Sequence, residues 1–362
     1  HNNNSIYQWY QINEYTNLDE FNEALKICSL PRFNVAYEDR KDNIFYLSGG
    51  RIPIREGDFN WEGVLPGNTS EALTHGYHEM KDFPQLQDPP HGYLFNTNNS
   101  PFNATHPSDN LDEKDYDPTL GFREEENNRS MRFMELIEQH PTLTYEEFLK
   151  IKYDQQYPDS LMCPFQLNEI FYIDPKKYPH IKDLLMIIQS WDRKANLDNP
   201  AAAQWSILFE KLVVRTKEDG LYHAKSLPEE LITEEIEATQ KFLLKNYKRI
   251  DITLADHQVH KRGDVEKPIS GLLDMIAAIN SAPLKKGRVQ AVSGESYIMI
   301  VRYSEEDVEI ETILPFGESS EADSPHFTDQ MEMYLNQERK TMTLDKTKVY
   351  EQDVKGYHPK HQ

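Results

Sequence analysis

The sequence predicts an α+β protein in which strands near both ends of the chain flank a mainly helical middle. Residues that favour strands concentrate at 34–47 and again at 288–314. Between them, apolar residues recur at helical spacing in several segments of the middle third. Helices inserted between two strand-rich ends that share a sheet give an α+β arrangement rather than alternating βαβ units.

The composition indicates a folded, acidic protein. Its 39 Lys and Arg residues face 61 Asp and Glu residues, a formal charge of −22 that repels nucleic acid and anionic membranes. The 38% hydrophobic share is low, but 16 Phe, 20 Tyr and 4 Trp supply large apolar side chains that a disordered chain lacks. No apolar run approaches the roughly 18 residues of a membrane helix. We therefore expect neither nucleic acid nor a membrane as a partner.

The N-terminus and the cysteines say little about the cellular compartment. The polar segment 1–5 lacks the basic start and the apolar stretch of a signal peptide. We therefore expect any export signal to lie upstream or to have been removed. Cys28 and Cys163 are the two cysteines. They form no disulfide framework, and the sequence leaves open whether they pair.

The first hundred residues predict a helix, a hairpin and a long irregular segment. Apolar residues at helical spacing predict a surface helix over 18–30, with Asn17 as its N-cap. Short apolar runs at 34–37 and 44–47, on either side of a charged turn, predict a β-hairpin. The segment 51–116 is rich in Pro, Asn, Gly and His and shows no sustained period. Long irregular segments of this kind usually carry function.

The middle of the chain predicts a series of helices. A helical pattern begins at 129–139, and Thr144 after Pro141 is typical of a helix N-cap. Trp191 follows an apolar helical face and is expected in the core. The acidic segment 192–198 misses the ligand spacing of an EF-hand. Further helices are predicted near 180–192, 201–217 and 228–247.

Strand character returns in the last third. The segments 288–292, 297–303 and 308–314 concentrate β-branched and aromatic residues. We expect these three to be adjacent antiparallel strands.

The polar segment 96–99 is the first candidate for chemistry. Asn residues favour turns, so one interpretation is a simple loop. The alternative is that an Asn side-chain amide, held at a strand end, donates a hydrogen bond to the oxyanion that develops in acyl transfer. Alternation along an extended segment would put Asn96 and Asn98 on one face and Thr97 and Asn99 on the other. Periodicity therefore leaves two candidates.

The histidines give weaker signals. Asp323, His326 and Asp329 could form a metal site or a His–carboxylate pair. Because a further metal ligand is missing, the favoured interpretation is that these polar side chains cap a helix and close turns. His75 and His78 have no acidic partner at zincin spacing. The sequence also contains no G-x-S-x-G elbow, P-loop or dinucleotide fingerprint, so those enzyme classes have no support.

A set of short stretches in a fixed order runs through nearly the whole chain. Each is weak alone, but the ordered set is specific. On these residues the sequence resembles the penicillin amidase family, and segments 191–197 and 296–301 resemble acyl-homoserine-lactone and aculeacin acylases in particular. The stretches are Gln8-Trp9-Tyr10, Asn43-Ile-Phe-Tyr-Leu47, Arg51-Ile-Pro53, Trp61-Glu-Gly63, Phe95-Asn-Thr-Asn-Asn-Ser-Pro101, Pro107-Ser-Asp109, Arg129, Trp191-Asp192, Gly294-Glu-Ser296, Gly317-Glu-Ser319 and Ser324-Pro-His326-Phe-Thr-Asp329-Gln330.

The resemblance implies a fold and a catalytic strategy. Family members form a four-layer αββα sandwich, the N-terminal-nucleophile hydrolase fold, and cleave their own precursor to expose a Ser at the start of the large chain. That Ser is the nucleophile, and its α-amino group, with a pKa near 8, is the base. His1 and Ser5 do not match that Ser, because Gln8-Trp9-Tyr10 lies far downstream of it in the family. We therefore expect this chain to be a C-terminal part of the large chain, inactive by itself, with the small chain and the start of the large chain as its partners.

The resemblance also assigns three residues. Asn98 matches the family's oxyanion-hole Asn, and Arg129 matches an Arg that orients it, with Arg132 as the less favoured match. Asp109 falls where penicillin G acylase has a calcium-ligating Asp. One carboxylate does not make a calcium site, because the ion takes six to eight oxygens. Calcium is therefore an optional expectation, and no other cofactor is expected.

The expected activity is hydrolysis of N-acyl amides, with acyl-homoserine lactones or related small molecules as substrates. The alternatives are a penicillin or β-lactam acylase and a non-catalytic binding module that kept the fold. The resemblance implies a periplasmic or secreted protein. It also suggests three parts: sandwich strands with the active-site loop at 1–110, a mainly helical insertion at 111–250, and a return to the sandwich at 251–362.

Overall fold

The structure, a computed structural model, describes residues 4–122, 125–304 and 307–352. The chain divides into two compact units. The first comprises His1–Ser130 with Tyr303–Asp307, and the second comprises Met131–Arg302 with Val308–Gln362. None of the described helices combines the length and the apolarity needed to cross a membrane.

Two helices open the first unit. Helix α1 (Ser5–Glu14) was not predicted, since much of its apolar surface is exposed and gives no clear stripe. Its Gln8 is buried, and Oε1 accepts hydrogen bonds from the backbone N–H groups of Ser29 and Leu30 at 2.7 and 3.0 Å. Helix α2 (Leu18–Leu25) confirms the predicted helix and its Asn17 cap, whose side chain accepts from Glu20 N. It ends earlier than predicted, and at Cys28 the backbone turns left-handed with φ 46°.

The predicted hairpin is confirmed. Strand β1 (Phe33–Glu38) pairs antiparallel with β2 (Ile44–Gly49), and β3 (Gln85–Gln87) adds to the other edge of β2. Strand β2 is buried along nearly its whole length because it lies between the other two strands and under an apolar cluster. The fully buried members of that cluster include Phe45, Leu47, Phe83 and Leu120.

The predicted helical middle is confirmed, since between residues 128 and 257 every regular element is a helix apart from one isolated bridge. Thr144 and Glu147 form a reciprocal capping box, as the sequence pattern indicates. Asn199 caps the helix that begins at Pro200. The α-helices are α3 (Asn128–Ile137), α4 (Tyr145–Lys152), α5 (Lys182–Gln189), α6 (Pro200–Glu218), α7 (Glu229–Tyr247) and α8 (Leu254–His257).

The main core of the second unit lies where α5, α6 and α7 pack together. Leu184, Leu208 and Ile232, one from each helix, are fully buried. Trp191 is 5% exposed, as expected of a core residue, and its ring stacks on Trp205 with centroids 4.7 Å apart. Burial of such side chains supplies most of the stability of a helical layer.

The remaining strands form two separate sheets. The first has the order β5-β4-β7-β6 and contains β4 (Gln258–Arg262), β5 (Val265–Pro268), β6 (Asn280–Pro283) and β7 (Val289–Ser293). The second has the order β10-β9-β8 and contains β8 (Ile298–Tyr303), β9 (Val308–Ile313) and β10 (Lys340–Met342). Two further helices are α9 (Met331–Leu335) and α10 (Lys346–Gln352).

The prediction that the strands within 288–314 are three adjacent antiparallel strands was wrong in part. Strands β8 and β9 are neighbours, but β7 pairs in parallel with β4 and antiparallel with β6. The reason is packing: Ala291 of β7 lies in a cluster with Ile269 and Ile279, whereas Ile298 of β8 packs with Ile313. Alternation identifies a strand but does not identify its neighbour.

The larger arrangement stays a prediction. The three sheets are hydrogen-bonded separately among the described residues, with 34–47 in one and 288–314 divided between the other two. That these strands share one sandwich, and that the chain divides at residues 110 and 250, are therefore still expectations.

Candidate active site

The segment 96–99 forms a tight turn. Asn98 has φ 64°, a left-handed conformation that Asn tolerates better than most residues. Asn96 Oδ1 accepts a hydrogen bond from Asn98 N at 2.9 Å, and Asn99 Oδ1 accepts one from Thr97 N at 2.8 Å. The expected alternation along an extended strand was therefore wrong here, because these short side chains bond to their own backbone and bend it.

The three Asn side chains have different surroundings. Asn99 is 5% exposed, and its Nδ2 donates to Asn103 O at 2.5 Å. Asn96 is half-buried, and its Nδ2 donates to the hydroxyl of Tyr46 at 3.4 Å. Asn98 alone among the three is exposed. Its amide is therefore the one that a bound molecule can reach.

Arg129 contacts this amide from the first turn of α3. Its Nη1 donates to Asn98 Oδ1 at 3.1 Å. A guanidinium group has no acceptor, so this contact fixes which end of the amide faces Arg129. Within the described part of the chain, no hydrogen bond reaches Asn98 Nδ2. The two Nδ2 protons remain as donors.

Asn127 ties the turn to the start of α3, and the sequence analysis missed it. Its Nδ2 donates to Thr97 O at 3.0 Å, while its Oδ1 accepts from Ser130 N at 2.9 Å. The Ser130 hydroxyl accepts in return from Asn127 N at 3.1 Å. This reciprocal Asn-x-x-Ser cap was a readable signal in the sequence. It fixes the helix start, and with it Arg129, relative to the turn.

Arg132, the less favoured match, makes a different set of contacts. Its Nε and Nη2 donate to the two carboxylate oxygens of Asp154 at 3.0 and 3.1 Å, and its Nη1 donates to Glu135. The side chains of Arg132 and Asp154 are 13% and 16% exposed. A fork-to-carboxylate pair with this little exposure is a structural contact.

A cavity of about 400 Å³ adjoins the turn. Asn98 lines it together with the apolar rings of Phe33 and Phe122. Two carboxylates, Glu125 and Glu126, also line it. Its volume is within the usual range for a small-molecule site, and most of the residues that line it are polar or charged.

Asp109 lies at the base of the same loop region. Its Oδ2 accepts hydrogen bonds from His91 N at 2.9 Å and His91 Nδ1 at 2.8 Å, and its Oδ1 accepts from the Ser108 hydroxyl at 3.0 Å. Desolvation raises the pKa of Asp109, but the hydrogen bonds from His91 and Ser108 outweigh it and hold the pKa below its ordinary value. The carboxylate is therefore ionised at neutral pH.

The donors around Asp109 fit calcium poorly. His91, His106 and Asp109 each offer one ligand atom, all within 4.8 Å of one another. Calcium takes six to eight oxygens, whereas this group brings one carboxylate beside two imidazoles. Imidazole suits zinc, copper and nickel. No step in the proposed function uses calcium.

The second histidine region closes turns. His326 Nδ1 lies 2.8 Å from Asp329 Oδ2 in an exposed pair, and His326 O accepts from Ser319 N. Asp323 does not join them in a metal-type cluster, and the described residues hold no other group of three. Gly317 is required there, since a Cβ would lie 2.2 Å from His326 O. These contacts agree with the interpretation as capping and turn residues.

The other residues singled out have plain environments. His78 Nδ1 lies 3.5 Å from Asp82, and His75 joins no metal-type group among the residues described. Cys28 and Cys163 are both free thiols, which answers the question of their pairing. Ser5 is the first residue of α1, and His1 lies outside the described residues.

A braced Asn amide with unengaged Nδ2 protons beside a cavity is an arrangement that can donate to an oxyanion in acyl transfer. The family model described as Penicillin amidase matches residues 1–351. The chain therefore belongs to the penicillin amidase family.

Two of the individual proteins similar to this chain illustrate the match. The acyl-homoserine lactone acylase PvdQ of Pseudomonas fluorescens (strain Pf0-1) is 24% identical over 172 residues, 42% of this chain and 22% of that protein. A thermostable penicillin G acylase from Alcaligenes faecalis has a TM-score of 0.62 at 16% identity, covering 98% of this chain and 72% of that one. The structural likeness confirms the predicted α+β, N-terminal-nucleophile hydrolase fold. The chain spans about a fifth of the length of the curated relative through the matched segment.

Proposed function

We propose that the protein to which this chain belongs hydrolyses the amide bond of N-acyl substrates, and that Asn98 donates a side-chain hydrogen bond to the oxyanion. One observation carries the assignment of Asn98: Arg129 Nη1 donates to its Oδ1 at 3.1 Å. Membership of the penicillin amidase family supports the reaction class.

The chemistry rests on a donor that is oriented before the reaction begins. When a nucleophile attacks an amide carbonyl, the carbonyl oxygen gains negative charge, and a fixed N–H stabilises it without reorganisation. Arg129 holds the amide through its oxygen and draws electron density from it, which strengthens the Nδ2 protons as donors. The hydrogen bonds from Asn98 N to Asn96 and from Thr97 N to Asn99 hold the backbone of the turn. Nδ2 can thus be held toward the reacting carbonyl.

The nucleophile in this proposal lies outside these 362 residues. It is a Ser exposed by cleavage of a precursor, and its own α-amino group, with a pKa of about 8, takes the hydroxyl proton. The small chain and the start of the large chain would complete the site. Export to the periplasm or the medium belongs to the same proposal, and a signal peptide on the full gene would support it.

For the substrate we favour acyl-homoserine lactones or related N-acyl molecules. The 24% identity to an acyl-homoserine lactone acylase supports this choice, whereas the likeness to penicillin G acylase at 16% identity concerns the fold. The cavity beside Asn98 has Phe33 and Phe122 on its walls, which suits an apolar portion of a substrate.

The test uses the full-length, processed protein. Acyl groups from phenylacetyl to dodecanoyl are offered on homoserine lactone and on a β-lactam nucleus, and amine release is measured. We expect turnover of the lactone series. Turnover of β-lactams alone would establish the alternative substrate class. Processed protein that cleaves neither series, or a gene without a Ser, Thr or Cys at the processing site, would leave the non-catalytic module.

A further inference from the structure

We propose that Asn34 is a second side-chain donor in the cavity beside Asn98, and that it binds an oxygen atom on the acyl chain of the substrate. The substrate class is then N-acyl compounds whose acyl chain carries a carbonyl or hydroxyl oxygen. Asn34 is exposed and lines the same cavity of about 400 Å³ as Asn98. This role of Asn34 rests on the proposed acylase function.

The orientation of the Asn34 amide follows from a chain of hydrogen bonds that begins at the Asn98 backbone. Asn98 N can only donate, and it donates to Asn96 Oδ1 at 2.9 Å. The other end of the Asn96 amide, Nδ2, donates to the Tyr46 hydroxyl at 3.4 Å. The Asn96 amide is therefore fixed, with its oxygen toward Asn98 and its nitrogen toward Tyr46.

Tyr46 connects Asn96 to Asn34. Its side chain is buried, and burial raises the pKa of Tyr46 to about 12, so the hydroxyl keeps its proton at neutral pH. The hydroxyl oxygen accepts from Asn96, and the single hydroxyl proton is donated to Asn34 Oδ1 at 2.9 Å. The Asn34 amide is therefore held through its oxygen.

The nitrogen of the Asn34 amide is the group offered to a ligand. In the part of the chain that the structure describes, no hydrogen bond reaches Asn34 Nδ2. The arrangement repeats that of Asn98, whose oxygen is held by Arg129 and whose Nδ2 protons remain as donors. Asn34 and Asn98 therefore give the cavity two oriented amides, and Asn34 is still available when Asn98 donates to the oxyanion.

The neighbours of Asn34 indicate which part of the substrate it contacts. Phe33, the preceding residue, is exposed and lines the same cavity, and Phe122 is a second ring on its wall. Apolar rings suit an acyl chain, and an amide donor beside them suits an oxygen atom on that chain. An unsubstituted chain displaces water from the Nδ2 protons without replacing its hydrogen bonds, which disfavours binding.

The experiment compares two substrates that differ by one carbonyl oxygen. Processed full-length protein is assayed with N-(3-oxododecanoyl)-homoserine lactone and N-dodecanoyl-homoserine lactone, and kcat and KM are measured for each. The keto group also activates the amide carbonyl, so the change in the ratio of the two kcat/KM values between variants decides. That change should lie mainly in KM, because Asn34 binds the substrate in the ground state and the transition state alike.

Variants of Asn34 and Tyr46 test the contact. Asn34→Ala removes the donor, and Asn34→Asp removes it while keeping an oxygen for the Tyr46 hydroxyl, which makes it the variant to use if Asn34→Ala does not fold. We expect both to lower the preference for the 3-oxo substrate by about 3- to 10-fold, the contribution of one neutral hydrogen bond. Tyr46→Phe keeps the Asn34 amide but no longer orients it, and should lower the preference by a smaller factor. Asn43→Ala is the matched control, since Asn43 lies in the same hairpin, bonds to Asp39 and is not among the residues that line the cavity.

An unchanged preference in folded Asn34→Asp would overturn the role of Asn34. So would a change that appears instead between homoserine lactone and cyclopentylamine as leaving groups, because it would place Asn34 beside the leaving group. Wild-type protein that hydrolyses neither substrate would end the proposed function, and calorimetric binding of the same two molecules then tests Asn34 separately. Equal affinities in the wild type, or an affinity ratio that Asn34→Asp leaves unchanged, would overturn its role there too.

Discussion

Replacing Asn98 in the full-length enzyme is the sharpest test of the proposed oxyanion role. We expect Asn98→Ala and Asn98→Gly to lower kcat by about 10²- to 10³-fold, the cost of removing one oxyanion donor, or about 2.7–4 kcal/mol of transition-state stabilisation. KM should change little, because the interaction is made mainly in the transition state. Asn98→Asp should be at least as damaging, since it replaces the donor with a negative charge that repels the oxyanion.

The structure predicts a much smaller effect on stability. Asn98 is exposed, and among the described residues its side chain makes one hydrogen bond, to Arg129. Loss of such a contact costs about 1 kcal/mol. Alanine also tolerates φ 64° less well than asparagine, because it lacks the short polar side chain that bonds to nearby backbone, whereas glycine adopts this conformation freely. Equal losses of kcat in the two variants would assign the effect to the amide rather than to backbone strain.

The assay is steady-state hydrolysis by processed protein, with urea unfolding measured in parallel. Asn99→Ala is the comparison for stability, and it is not a control for kcat because Asn99 also holds the backbone of the turn. Asn99 is buried and bonds to Thr97 N and Asn103 O, so its loss should lower the free energy of unfolding by about 1–3 kcal/mol. A tenfold or smaller loss of kcat in Asn98→Gly would refute the oxyanion assignment while leaving the family assignment intact.

Two further predictions concern Arg and His residues. Arg129→Met should lower kcat by about tenfold or more, because the Asn98 amide is no longer held. Arg132→Met should leave kcat unchanged and lower the free energy of unfolding by about 3–5 kcal/mol, because the Asp154 carboxylate loses its ion-pair partner. Activity assays and urea melts of both variants check this, and the reverse pattern would exchange their roles. Burial lowers the pKa of His257 from 6.5 to about 4, so as pH falls the unfolded chain binds a proton on this imidazole before the native state does. The free energy of unfolding should therefore drop by up to about 3 kcal/mol between pH of about 6.5 and about 4. The loss of unfolding free energy between pH 7 and pH 5, measured in urea, should be smaller in His257→Gln than in the wild type, and an equal loss would contradict the prediction.

The sequence predicted local elements well where side chains act on their own backbone. The Asn17 cap and the Thr144 capping box join residues three apart, so both could be read directly. Helix α1 was not predicted because its exposed apolar residues give no clear stripe. The role of Gln8 was not predicted either, because its hydrogen-bond partners lie 21 and 22 residues further along the chain. The neighbours of β7 were predicted wrongly because a period of two identifies a strand but not its partner.

For the candidate site, too, some features could be predicted from the sequence and others only from the tertiary structure. The sequence by itself determined the family resemblance, the choice of Asn98 among three asparagines, and Arg129 as its expected partner. These follow from short motifs whose residues and order are read directly from the sequence. The tertiary structure decided which groups contact one another. It bent 96–99 into a turn, bonded Arg129 to the Asn98 amide at 3.1 Å, and brought His91 and His106 together beside Asp109. Such contacts join residues 15 to 31 positions apart, and their geometry comes from chain folding, which no local period in the sequence encodes.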